Sequence, residues 1–167
     1  MYHSLEEFDR DFQHHTEETL KVFRCLSDAA LSCKVDPQGR DLGFIAWHIV
    51  QTYPEMLGQA GVQGLDGAAP GAPAPKSAAA LAQAYDQMRQ SVLPALRRVW
   101  TDAMLAGSIP MYGQEWPRHM VLSGLIYHEV HHRGQMTVLM RQAKLKVPGV
   151  FGPAREEWTA YGLPAHP

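Results

Sequence analysis

One run of nine residues, Tyr127-His128-Glu129-Val130-His131-His132-Arg133-Gly134-Gln135, gathers three imidazoles, a carboxylate and a guanidinium. On a helix, residues four apart share a face, about 6 Å apart along the axis. His128 and His132 are such a pair, and two imidazoles so related can point at one metal ion. His131 lies roughly 60° from His128 around the axis, on the other side of the stripe, and projects elsewhere. Neutral imidazoles suit zinc, nickel or iron. Three of them leave coordination positions open, where a metal lowers the pKa of a bound water or polarises a substrate atom. The third histidine must come from another element.

The same residues admit other readings. His128-Glu129-Val130-His131-His132 fits H-E-x-x-H, in which two histidines bind zinc and the glutamate is a general base. The further ligand of the longer motif is missing at its required spacing, and no sheet is expected to hold a peptide. Glu129 then reads as part of a solvated helix face. A di-iron carboxylate site needs two Glu-x-x-His motifs on different helices, and only Glu129 with His132 fits. No Cys-x-x-Cys-His haem attachment is present.

Four amphipathic helices are available to position these groups. Residues 4 to about 33 carry Leu5, Phe8, Phe12, Thr19, Val22, Phe23 and Leu26 at helical spacing, opened by a Ser4–Glu7 capping box. His15 falls in this stripe and reads first as a core histidine, second as a ligand; His14 is off it and solvated. A turn at Asp36-Pro37-Gln38-Gly39 precedes a second helix, about 41 to 60. There Ile45, His48, Ile49, Thr52 and Met56 share one face, so His48 points inward, with Pro54 expected to kink the helix. Gly61 to Pro75 has the composition of a mobile linker, long for a helix–helix connection. Ser77 caps a third helix, about 77 to 106, with a clean apolar stripe from Leu81 to Val99 and a second kink expected at Pro94. After a loop from 107 to 116, Pro117 opens the last helix, about 117 to 145. Val121, Leu125, His128, His132, Gln135, Leu139 and Ala143 recur there at steps of three and four. No stretch alternates with period two. The expected fold is an all-α four-helix bundle with a long crossover loop, a single domain over 1–167, and an extended tail through Val147-Pro148-Gly149-Val150-Phe151-Gly152-Pro153 that packs across the bundle end.

Composition narrows the function classes. The 167 residues suit one core, and 46% apolar content argues against general disorder. A net charge of −2 and a pI near 6.5 give no electrostatic case for nucleic acid or an anionic membrane. The N-terminus lacks the basic start and apolar run of a signal peptide, and no stretch has the roughly 20 apolar residues of a membrane span. The expected location is the cytoplasm. Cys25 and Cys33, if on one helix, would stand about 12 Å apart, too far for a disulfide, so both read as reduced thiols.

The sequence resembles the DinB/YfiT-like superfamily of metal-binding four-helix bundles. The resemblance is carried by His128-Glu129-Val130-His131-His132-Arg133-Gly134-Gln135 with Leu139-Met140-Arg141. It continues in Val147-Pro148, in Phe151-Gly152-Pro153 and in Gly113-Gln114-Glu115-Trp116-Pro117-Arg118, and a second-helix histidine, His48, stands where the family has its first ligand. It spans most of the chain outside the Gly/Ala/Pro linker. It implies a three-histidine site for a divalent metal, typically nickel or zinc, with His48, His128 and His132 at the ligand positions, and it implies frequent homodimers. Members of known activity include thiol S-transferases using bacillithiol or mycothiol, a mycothiol-dependent isomerase and proposed hydrolases. Glu129 departs from the small residue usual after the first last-helix ligand, and Met140 from an aromatic or aliphatic one.

The leading expectation is a metal-dependent thiol S-transferase acting on a small molecule with a low-molecular-weight thiol. Rival readings are a metal-dependent hydrolase and a non-catalytic metal-binding or dimeric scaffold. Glu129 and Arg133 are further catalytic candidates, Arg133 either for a substrate carboxylate or for a structural ion pair or backbone contact. Gln135 lies on the inward stripe and can orient a ligand histidine.

Overall fold

Three of the four helices begin on a side chain that accepts a hydrogen bond from the first turn. In the computed structural model, which describes residues 1–69 and 71–165, α1 spans Leu5–Arg24, α2 Leu42–Gln59, α3 Ala78–Val99 and α4 Arg118–Gln142. Ser4 Oγ accepts from the Glu7 amide at 3.1 Å, Asp41 Oδ1 from Phe44 at 2.7 Å and Ser77 Oγ from Ala80 at 3.2 Å. Each satisfies an N–H that a helix start leaves without an internal partner. Pro117, with φ of −59°, precedes α4 instead.

Two helices end sooner than their periodicity suggests. α1 stops at Arg24 rather than near 33, and α3 at Val99 rather than near 106. Each is followed by a short 3-10 turn, Asp28–Ala30 and Asp102–Met104. The aspartate of each turn caps a different helix. Asp28 Oδ1 accepts from the Ala78 amide at 2.7 Å, at the start of α3, and Asp102 Oδ1 from the Leu5 amide at 2.8 Å, at the start of α1. Those long-range caps favour leaving the helix where Leu26 and Ala30 would continue its apolar spacing.

The loop at 107–116 also differs from expectation. It contains an antiparallel hairpin, β1 Ser108–Met111 and β2 Gln114–Pro117, with Ile109 opposite Trp116. The two turn residues, Tyr112 and Gly113, have φ of 51° and 77°, the doubly positive turn that matches strand twist. Four-residue strands are too short to show a period of two, which is why the sequence conceals them.

The main helix contacts are α2 with α4, α1 with α3, α1 with α4 and α2 with α3. Thus α1 lies opposite α2, and α3 opposite α4. Phe8, Phe12 and Phe23 of α1, Tyr53 of α2, Tyr85 of α3 and Leu125 of α4 are fully or almost fully buried. Phe23 stacks on Tyr85 at 4.6 Å between centroids. Burying side chains of this size yields about 1.5–3 kcal/mol each, so the core does not depend on a ligand. Pro54 and Pro94 lie inside continuous helices.

The segment between α2 and α3 is a strap rather than a loose tether. Trp47 Nε1 and Gln51 Nε2 both donate to the Ala72 carbonyl, at 3.0 and 2.9 Å. The Asp66 amide donates to Ser91 Oγ at 2.9 Å, and Val62 and Ala68 are buried. At Gly67, φ is +89° and a Cβ would collide with the Ala84 carbonyl oxygen, so only glycine lets the strap lie against α3. The tail crosses the bundle end: Val147 is buried, and the Phe151 ring meets His14 and His15 at 5.2 and 5.1 Å. Cys25 and Cys33 are free and half-buried. Among the described residues no helix is long and apolar enough to cross a membrane.

Candidate metal centre

The contact between α2 and α4 sets the site. His48 follows Ile45 by three residues on the inward face of α2, and His128 and His132 lie one turn apart on α4. The structure brings all three together, with one ligand atom from each lying within 4.8 Å of the others. His128 Nε2 stands 3.1 Å from His48 Nε2 and 3.2 Å from His132 Nε2. The rings meet edge to face, with centroids 4.4–4.8 Å apart.

The protonation pattern follows from one neighbour. Gln135 Oε1 lies 2.7 Å from His132 Nδ1. An amide oxygen only accepts, so Nδ1 carries the proton, and in the neutral ring Nε2 carries a lone pair. That lone pair faces His128. A ring nitrogen holds a proton or an in-plane lone pair, not both, so His128 Nε2 cannot donate to one neighbour while accepting from the other. One proton shared among three nitrogens serves them poorly, whereas one cation facing three lone pairs serves all of them. The donor set fits a divalent transition metal.

Electrostatics keep the rings neutral, as ligation requires. Burial, followed by the neighbouring His132, His48, His131 and Arg40, holds His128 down to about 4. Burial, His132 and Arg40 lower His48. Burial also lowers His132, with Gln135 opposing and His131 and Arg40 assisting. His131 is exposed, and its Nε2 accepts from Gln135 Nε2 at 3.2 Å, outside the cluster.

Glu129 is not on a solvated face. It is fully buried, its Oε1 accepting from Thr19 Oγ1 and its Oε2 from the Tyr53 hydroxyl, both at 2.6 Å. The carboxylate is thus held between α1 and α2 and is not part of the histidine group. Burial raises its pKa against the opposing effects of Thr19, Tyr53, Tyr85 and Arg133. Arg133 is 4% exposed. Its Nη1 donates to the His15 carbonyl and to Thr19 Oγ1, both at 3.0 Å, and the guanidinium lies 5.3 Å from the Phe151 ring centroid. It makes the backbone contact but no ion pair within 4 Å among the described residues. His15 is half-buried with Nδ1 unpartnered, near Arg133 and Phe151, and does not join the cluster.

Sequence reasoning missed two neighbours of His48. Phe44, four residues earlier on the same helix, stacks on its ring at 6.1 Å, and the Arg40 guanidinium lies over Phe44 at 5.0 Å. The four-residue step from Phe44 to His48 was the available signal.

The sequence model of the DinB family matches residues 1–165. The uncharacterized protein YrdA of Bacillus subtilis strain 168 is 39% identical over 165 residues, covering 99% of this chain and 98% of the relative. The crystal structure of a DinB-like protein from Bacillus cereus ATCC 10987 is similar with a TM-score of 0.85 and 40% identity, over 90% of this chain and 100% of that one. A second DinB-like protein, YjoA of Bacillus subtilis, shares the fold at a TM-score of 0.67 and 19% identity, over 86% and 96% of the two chains. With a family match over almost its whole length and relatives near 40% identity, this chain belongs to the DinB family.

Proposed function

We propose that the chain holds one divalent transition metal, nickel or zinc, on His48, His128 and His132, and acts as a thiol S-transferase on a small molecule. The observation that carries this reading is the convergence of three Nε2 atoms, with the tautomer of His132 set by Gln135. When bound, such a metal supplies Lewis acidity that stabilises a low-molecular-weight thiol as thiolate at neutral pH. Transfer then forms a sulfur–carbon bond and releases the electrophile's leaving group with its electron pair.

The chain's own residues have distinct tasks. His48, His128 and His132 present lone pairs, and Gln135 holds the ring of His132 in place. Phe44 covers one side of His48. A hydrolase would gain from a carboxylate base beside the metal, and among the described residues no carboxylate joins the cluster. The side chain that H-E-x-x-H would nominate, Glu129, is held by Thr19 and Tyr53. That favours an attacking group which needs no base of its own. Met120, Tyr127 and Val130 expose apolar surface on α4 and support a homodimer, which light scattering at two concentrations would test.

Elemental analysis of purified protein tests the site. We expect about one metal per chain, lost in His48→Ala and in His132→Ala, and full retention in both variants would sink the assignment. Turnover of electrophile panels then tests the reaction. Turnover that requires added thiol supports the transferase, turnover without thiol replaces it with a hydrolase, and metal binding without turnover replaces it with a scaffold.

A further inference from the structure

A cavity of about 450 Å³ lies between the start of α2 and the second half of α4. Its apolar walls are Val35, Ile45, Val138 and Leu139, and Gln135 and Arg40 supply polar groups. Two of these residues tie it to the centre. Gln135 is hydrogen-bonded to His132, and Ile45 lies one turn before His48 on α2. Arg40, which also lines the cavity, lies over Phe44, which stacks on His48. Its charge is the weakest of the influences that lower His48, His128 and His132.

Arg40 also lacks a counter-charge. No carboxylate among the described residues lies within 4 Å of its guanidinium. Asp36 lines the same cavity, but its Oδ1 accepts from the Gln38 amide at 2.8 Å. An unpaired guanidinium, already oriented by an aromatic face, lines an apolar cavity that Gln135 connects to His132. That arrangement suits a ligand with an apolar body and a planar anionic end.

We propose that this cavity is the substrate subsite of the centre, and that Arg40 binds the carboxylate of a small organic acid whose other end reaches His48, His128 and His132. The inference rests on the metal reading only for that second end. The apolar walls receive the carbon chain, and Arg40 distinguishes a carboxylate from a neutral group of the same shape. Arg40 is exposed and is not a metal ligand, so replacing it leaves the core and the cluster in place.

The test compares isosteric pairs on the full chain. On metal-loaded protein, calorimetry measures mercaptopropionate against mercaptopropionamide. On metal-free protein, NMR titration measures butyrate against butyramide. Wild type should prefer the acid about tenfold in the first pair, as one charge-assisted contact with an exposed partner predicts, with the preference shrinking as salt is raised. Arg40→Gln should abolish the preference, and Arg40→Lys should retain part of it. Equal binding of acid and amide by wild type, or an unchanged preference in Arg40→Gln, overturns the proposal. If the protein takes up no metal, the metal reading fails by itself. The metal-free pair then decides the role of Arg40: a butyrate preference lost in Arg40→Gln supports it, and no preference overturns it.

Discussion

His132 donates through Nδ1 to Gln135 Oε1 at 2.7 Å, three residues along the same helix turn. The hydrogen bond fixes ring orientation and tautomer together, so the Nε2 lone pair is aimed before any ligand arrives. Gln135→Leu removes the acceptor and frees the ring to rotate. Its metal affinity should fall about 10–100-fold, the usual effect of losing such a partner. Gln135→Glu keeps an acceptor and should retain most of the affinity. Competition against a chromophoric chelator measures both, and equal affinity in Gln135→Leu and wild type would refute the orienting role.

Removing the metal should lower stability without unfolding the chain. The core contains Phe8, Phe12, Phe23, Tyr53 and Tyr85 independently of the histidines. Ligand linkage is worth about 2.7 kcal/mol at a hundredfold excess over Kd, or roughly 5–11 °C in Tm for a chain of this size. Thermal melts by circular dichroism, before and after chelation, check this. A chelated protein without helical signal at 25 °C would contradict it.

Much of this arrangement was legible in the sequence, and the parts that were not share one cause. The step from His128 to His132 and on to Gln135 follows helical geometry, so their common face can be read directly. His48 can be read as inward because Ile45, Ile49 and Thr52 flank it. The burial of Glu129 and of Arg133 could not be read. Both are charged, so hydropathy assigns them to solvent, yet both are buried. What makes their burial tolerable is Thr19, the His15 carbonyl and Tyr53, all more than 70 positions away in sequence. The early ends of α1 and α3 have the same origin, since Asp28 and Asp102 cap helices remote in the chain. Local periodicity carries no record of such partners.

Acid should weaken the metal-free protein through the histidine cluster. The folded state lowers all three pKa values, His128 to about 4 from an ordinary 6.5, chiefly through burial. Between those two values the unfolded chain binds protons that the folded chain excludes. Stability therefore rises with pH across this window and is lost as pH falls through it. Urea unfolding of metal-free wild type at about pH 7, 5.5 and 4.5 should show that loss. His128→Gln, which cannot titrate at that position, should show a shallower dependence. Parallel profiles in the two proteins would place the acid sensitivity elsewhere.

Glu129 should prove a determinant of stability. Its carboxylate joins Thr19 of α1 and Tyr53 of α2 to α4, and Thr19 in turn accepts from Arg133. Glu129→Ala leaves the buried Tyr53 hydroxyl without its acceptor, Thr19 with the His15 carbonyl alone, and Arg133 without its foremost opposing charge. The cost should be about 3 kcal/mol or more, a fall of roughly 6–12 °C in Tm. Glu129→Gln keeps one accepting oxygen and replaces the other with a donor facing a hydroxyl, so its cost should be smaller, about 1–2 kcal/mol. Metal content distinguishes this structural role from a catalytic one. If Glu129 only ties helices together, Glu129→Gln retains its metal, and its kcat with any working thiol–electrophile pair stays within about threefold of wild type, since less than 1 kcal/mol of barrier is at stake. A loss of kcat of a hundredfold or more in a folded, metal-replete Glu129→Gln would instead put the carboxylate in the chemistry.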